Sequence, residues 1–212
     1  MEITWYGHSC FSFSEEGFAT VVADPYNHEV VGYAPLNVEA EIVTISHNSS
    51  GHNCLSGIKG NPFIIDGAGE YELGNVFITG VQTDRKEAHE RNTLFVYQFN
   101  DLTIAHMGGM TKLPNQKQIE KLGNINIALI PVGGQDGWNA NKASELVSMI
   151  EPDYLIPMHY ATDESKVNMV PLQKFLKEMG ADSPQREDVF KIKSINPPVM
   201  DETVVVVLNY QE

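Results

Sequence analysis

The chain has 212 residues, with 28 Asp and Glu against 14 Lys and Arg, for a formal net charge of −14. That length suffices for one large domain with a sizeable core, and no linker or low-complexity stretch divides residues 1–212. The acidic balance leaves no basic footprint for phosphates, so nucleic acid and anionic membrane surfaces are excluded as expected partners.

In chain order, short β-branched and aromatic runs predict strands over 2–6 and 10–14, around Gly7-His8. A strand over 19–23 ends at Asp24-Pro25, because proline has no N–H with which to continue a strand ladder. Strands follow over 41–46, 63–65 and 75–79, with Gly67-Ala68-Gly69-Glu70-Tyr71-Glu72 read as a turn-rich link in which Tyr71 packs. Residues 92–99 and 102–106 predict a hairpin with Asn100-Asp101 at its turn. The charged stretch from Asp84 to Arg91 reads as a solvated loop.

The second half changes character. A helix is expected over 115–122, between Pro114 and Gly123, then an apolar strand over 127–132 running into Gly133-Gly134. Asn139 or Asn141 caps a helix over 141–150, with Pro152 beyond it. A strand over 154–158, a helix over 170–179 closed by Gly180, and a Val-rich, central strand over 203–208 complete the chain. Strands dominate early and alternate with helices later, which suggests two sheets packed face to face with helices outside.

No apolar run approaches the ~20 residues that span a bilayer. Met1-Glu2-Ile3-Thr4-Trp5 lacks a basic region followed by a long apolar one, so no signal peptide is expected. Two cysteines, Cys10 and Cys54, make no disulfide framework, and a reducing cytoplasm is the expected compartment.

Chemistry concentrates in histidines placed where apolar runs end. Ile42-Val43-Thr44-Ile45-Ser46 runs into His47, with His52 five residues on; Leu102-Thr103-Ile104-Ala105 runs into His106; Tyr154-Leu155-Ile156-Pro157-Met158 runs into His159. Imidazoles delivered by strand ends from distant segments are how a fold assembles a metal site, or else they persist as a hydrogen-bonded cluster with water. For Ser49 or Ser50 as a nucleophile His47 or His52 would serve as base, but nothing else in the sequence supports the oxyanion hole such chemistry needs, and Cys54 has no better support. Gly133-Gly134 is not followed by the Lys-Ser/Thr of a phosphate loop. Lys112 reads as an exposed lysine.

His47-Asn48-Ser49-Ser50-Gly51-His52 occupies the frame of the His-x-His-x-Asp-His signature of the metallo-β-lactamase superfamily. Ile3-Thr4-Trp5-Tyr6-Gly7-His8-Ser9-Cys10-Phe11 resembles one branch of it, the ascorbate-6-phosphate-lactonase-like proteins. So do Ala23-Asp24-Pro25-Tyr26, the Gly67-to-Glu72 segment, Pro131-Val132-Gly133-Gly134 and Ile156-Pro157-Met158-His159-Tyr160, in the same order. The resemblance implies an αββα sandwich with its site at one edge between the sheets. It implies two metals, the first held by His47, residue 49 and His106, the second by residue 51, His52 and His159, bridged by a carboxylate at 109.

The chain has Ser49, Gly51 and Gly109 at those places. Without carboxylates there is no charge to offset two dications, so at most a mononuclear centre is expected, with His47, His52, His106 and His159 converging on one ion. Imidazoles suit zinc, nickel, copper or iron, zinc being the first expectation. Asp24 would orient a ligand imidazole, or simply form an Asx turn; His8 would face substrate, or sit satisfied within the sheet.

Two functions follow. One is a hydrolase with a reduced metal site and a small, phosphorylated or lactone-like substrate. The other is a non-catalytic relative, without metal, that binds a small molecule or a protein partner through the old cleft.

Overall fold

The computed structural model describes residues 1–84, 91–134 and 138–212. In chain order the elements are β1 (Glu2–Trp5), β2 (Phe11–Ser14), β3 (Val21–Ala23), α1 (His28–Val31), β4 (Val38–Glu39), β5 (Ile42–Thr44), β6 (Ile58–Lys59), β7 (Phe63–Ile65), β8 (Gly69–Leu73), β9 (Val76–Asp84), β10 (Arg91–Phe99) and β11 (Leu102–His106). There follow α2 (Gln116–Leu122), β12 (Ile127–Pro131), α3 (Ala140–Ile150), β13 (Tyr154–Met158), α4 (Leu172–Glu178), β14 (Gln185–Glu187), β15 (Val189–Lys191) and β16 (Val204–Leu208).

The strands form two large sheets. One has the order β15-β1-β2-β3-β5-β7 and the other β14-β16-β13-β12-β11-β10-β9-β8; β4 and β6 make a small ribbon. The second sheet is antiparallel through its β8–β11 meander and parallel from β11 to β16, as the change from hairpin turns to intervening helices requires. β12 is buried at all five positions, so both of its faces are covered. The αββα sandwich expected from the sequence is what forms.

Strand alternation divides the first sheet between two cores. Val21, Ala23 and Ile42 face the second sheet and join the main core, while Val22 and Val43 face outward and pack with Tyr26, Val31 and Tyr33. Across the main core Phe13 meets Tyr97 with ring centroids 4.8 Å apart, and the Tyr97 hydroxyl lies 2.6 Å from Thr44 Oγ1.

Several elements depart from the sequence reading. The Gly67-to-Glu72 link contains β8, an edge strand whose Tyr71 and Leu73 pack on the core while Glu70 and Glu72 face solvent. Its hairpin turn is Gly74-Asn75, both at positive φ (53° and 65°), a primed turn that the glycines before it obscured. β16 lies one strand from the edge, between β13 and β14, rather than at the centre. α1, β4, β6, β14 and β15 were not expected; all have four residues or fewer, too short for a periodic pattern. Asn139, not Asn141, caps α3 by accepting from Lys142 N at 3.0 Å. Lys112 is exposed, and the part of the charged stretch over 85–90 lies outside the described residues.

The sheets are tied together at one end by the β1–β2 turn. His8 O accepts from His159 N–H at 2.9 Å, and Gly133 N–H donates to His159 O at 2.8 Å. A β-carbon on residue 133 would stand 2.1 Å from His159 O and 2.6 Å from Tyr160 Cα, so only glycine lets the end of β12 lie against the end of β13. Gly133→Ala should therefore cost about 1–3 kcal/mol through overpacking. Calorimetry should show the melting temperature falling by about 2–4 °C per kcal/mol.

Candidate metal centre

The ends of β1, β3, β5 and β13 converge at the open edge between the sheets. Three side chains leave there from backbone in the left-handed region: His8 (φ 51°), Asp24 (φ 48°) and His159 (φ 54°). Non-glycine residues rarely adopt this conformation, and Asp24 and the two histidines are held in it by the surrounding bonds. All three are buried.

Asp24 organises the first half of the site. Its Oδ1 accepts from Ser46 N–H at 2.7 Å; its Oδ2 accepts from Ser46 Oγ–H at 2.6 Å and from His52 Nδ1–H at 2.7 Å. Because the Ser46 hydroxyl proton is spent on Asp24, the 2.9 Å contact between Ser46 Oγ and His47 Nδ1 has His47 as donor. One carboxylate thus fixes the tautomer of two imidazoles, leaving each lone pair on Nε2. This arrangement prepares histidines for metal ligation.

His159 comes from the other sheet, its Nδ1 3.1 Å from Ser9 Oγ. His8 lies between: its ring centroid is 4.1 Å from that of His159 and 4.9 Å from that of His52, while His47 stacks at 4.1 Å on His52. Among the described residues, ligand atoms of His8, His52 and His159 lie within 4.8 Å of one another, as do those of Asp24, His47 and His52. The second group is already closed by hydrogen bonds through Ser46 and Asp24. The first is a set of three imidazole nitrogens, a donor type that suits zinc and its neighbours. Zn–N bonds of about 2.0–2.1 Å imply nitrogens roughly 3.4 Å apart in a tetrahedral site, a modest contraction of this group.

His106 stands apart from the histidines it was expected to join. Its Nε2–H donates to Ser9 O at 2.9 Å and its Nδ1 accepts from Gly108 N–H at 3.2 Å, so both ring nitrogens are engaged with backbone. It is fully buried, with Phe11 edge-on at 6.1 Å. Ligation by His106 would require it to release one of these partners.

The histidines line a cleft of about 170 Å³, walled by Val30, Val31, Met110 and Val167. Ser49, Gly51 and Gly109 line it too, so the three departures from the signature all face the centre. Two dications about 4 Å apart repel by roughly 16 kcal/mol at an effective dielectric near 20. Among the described residues Asp24 is the one carboxylate of this cluster, and it is hydrogen-bonded to histidine. The donor set, three imidazoles beside a carboxylate that is hydrogen-bonded to histidine, fits a transition-metal ion.

Two polar atoms in the cleft wall, His8 Nδ1 and Thr111 Oγ1, are buried without a hydrogen-bond partner. Such orphans are rare in native proteins and mark places where a ligand, ion or water completes the structure. The roles of Ser9, Ser46 and Thr111 were not legible in the sequence; adjacency to His8, His47 and Gly109 was their one signal.

A family model described as the β-lactamase superfamily domain matches residues 2–159. The chain belongs to the metallo-β-lactamase superfamily. A crystal structure from Thermotoga maritima, named as a Zn-dependent hydrolase of that superfamily, is 33% identical and covers 99% of both chains with a TM-score of 0.82. A UPF0173 protein of Pyrococcus abyssi is 27% identical over 76% of this chain and 84% of its own. A UPF0173 metal-dependent hydrolase of Lysinibacillus sphaericus is 28% identical over 76% and 86%. CmlA, a diiron β-hydroxylase from Streptomyces venezuelae, shares the fold at 12% identity and a TM-score of 0.59. The fold is thus shared by proteins of different metal chemistry, and the site residues must decide function.

Burial, then the neighbouring His159, His52 and His47, hold the His8 pKa well below its ordinary 6.5. Below that pH the unfolded chain binds a proton at His8 that the folded chain does not. The metal-free protein should therefore lose stability as pH falls from about 6.5, by up to about 1.4 kcal/mol per pH unit. Urea unfolding between pH 7.5 and 5.5 should show this slope, reduced in His8→Gln. Thr111→Val removes an orphaned hydroxyl and should leave stability unchanged or raise it by about 1 kcal/mol, measured the same way.

Proposed function

We propose that the protein is a metal-dependent hydrolase whose centre is reduced to a single transition-metal ion, zinc by donor chemistry, acting on a small substrate. The observation that carries this reading is the pairing of His52, fixed through Nδ1 by Asp24, with His159 from the opposite sheet on the floor of one cleft. His52 and His159 would hold the ion. When bound, such an ion supplies Lewis acidity and lowers the pKa of water towards about 7.

The chain's own residues do the rest. Asp24 keeps the His52 lone pair directed away from itself and supplies the negative charge of the cluster. His47 takes a proton at Nε2, and the resulting charge is stabilised through Ser46 by Asp24. Val30, Val31, Met110 and Val167 exclude bulk water, and Thr111 Oγ1 is placed to hydrogen-bond a substrate oxygen. The opening Ile3-to-Phe11 motif, which resembles that of the ascorbate-6-phosphate-lactonase-like branch, supports a lactone or phosphoester as substrate. The relatives' names support metal dependence and hydrolysis.

Two free cysteines, and described helices none of which is long and apolar enough to cross a membrane, support a cytoplasmic enzyme. The net charge of −14 supports small molecules rather than nucleic acid or membrane as partners.

The replacement of the ligand carboxylates by Gly51 and Gly109 favours a second reading, a metal-free relative that binds a small molecule or a protein partner. Metal content separates the two. Untagged protein incubated with zinc, manganese, iron or nickel should retain about one equivalent by mass spectrometry, lost in His52→Ala and His159→Ala. The loaded protein should hydrolyse a generic lactone or phosphodiester. Absence of metal under every condition, or hydrolysis appearing only in Ser49→His/Gly51→Asp/Gly109→Asp, would sink the enzyme reading.

A further inference from the structure

We infer that His8 is the third imidazole of the metal centre, a ligand beside Gly51, where the signature has its Asp. The inference rests on the reading of the cleft as a metal centre and names a ligand outside the superfamily's histidine signature.

Four observations carry it. A β-carbon built on Gly51 would stand 2.9 Å from His8 Nε2, so the His8 ring lies directly against the position of residue 51 and would have to shift to admit a side chain there. The superfamily frame has its second-metal Asp at 51; here glycine supplies no carboxylate and the His8 imidazole lies against it. One ring nitrogen of His8 lies within 4.8 Å of ligand nitrogens of both His52 and His159. Its Nδ1 is buried without a partner, which a merely structural histidine in a polar cluster would have satisfied. And its main chain is locked: His8 O accepts from His159 N–H at 2.9 Å and from Trp5 Nε1–H at 3.2 Å, at a φ of 51° that aims the ring into the cleft.

The competing third ligand is His106. That ring is committed at both nitrogens, to Ser9 O and Gly108 N–H, and it supports the backbone of the residue next to His8. The metal's ligand set thereby becomes His8, His52 and His159. It exchanges a carboxylate for a neutral imidazole and changes the charge of the site by one unit. Three imidazoles leave further positions on the ion for substrate oxygen or water.

Cobalt(II) titration followed by visible absorption tests this without reference to activity. Wild-type protein should bind about one equivalent with the intense d–d bands of a four- or five-coordinate site. His8→Gln should weaken binding by about 100-fold or more and change the bands, since loss of even an outer-shell partner costs 10–100-fold. His8→Gln/Gly51→Asp should recover at least tenfold, because the new carboxylate enters the space the ring has left; no recovery would overturn the shared position.

If His8→Gln keeps wild-type affinity and spectrum while His52→Ala and His159→Ala lose the metal, the assignment of His8 fails and the metal-centre reading stands. If wild-type protein binds no cobalt, both fail. Should His8→Gln not fold, long-range ¹H–¹⁵N spectra of wild-type protein titrated with zinc decide: the His8 ring nitrogens shift together with those of His52 and His159, or the assignment is wrong.

Discussion

The site depends on a cross-sheet clamp made by the β1–β2 turn. His8 O accepts from His159 N–H, Ser9 O accepts from His106 Nε2–H, and Ser9 Oγ meets His159 Nδ1. These bonds join the first sheet to the ends of β11 and β13 in the second, at the edge where a face-to-face sandwich would otherwise gape. Apolar packing cannot set that alignment, because burial is non-directional and tolerates sliding. Directed hydrogen bonds in a buried environment can, since leaving any of these groups unpaired costs about 1–3 kcal/mol. His106, hydrogen-bonded to backbone at both ring nitrogens, is part of this clamp.

Charge is the second constraint. Four imidazoles crowd around one carboxylate, and that carboxylate is already shared among Ser46 and His52, with His47 behind the serine. Neutral donors hold a dication through lone pairs without cancelling its charge, so a second ion finds nothing to offset the repulsion. Ser49, Gly51 and Gly109, which line the same cleft, add no charge to it. The fold that remains is fully packed, as the unbroken core on both faces of the first sheet shows.

Backbone strain gathers at the same place. Among the described residues, the non-glycine positions at positive φ are His8, Asp24 and His159 in the centre, three asparagines, and the cap residue Glu151. Asparagine and helix caps visit this region at little cost; histidine does so at a cost of order 1–3 kcal/mol. The strain is held by the clamp and by Asp24, and it turns three strand ends so that their side chains meet instead of diverging by the strand's period of two.

The sequence by itself determined the layer architecture and the meeting of strand ends, because apolar runs of period two and helices between parallel strands leave few other ways to bury both faces of a sheet. It also placed His47 and His159 at the ends of such runs, with His52 five residues beyond the first, and showed that Ser49, Gly51 and Gly109 supply no carboxylate. Only the tertiary structure decided which imidazoles share a point in space. His8 and His106 are indistinguishable as residues beside a strand end; a backbone carbonyl takes one ring, and an empty volume beside Gly51 receives the other. Edge strands such as β8, and one-turn or three-residue elements, were settled by pairing partners far away in the chain. Periodicity reports which face of a strand is buried. It is silent on what stands opposite, and the chemistry of this site lies in what stands opposite.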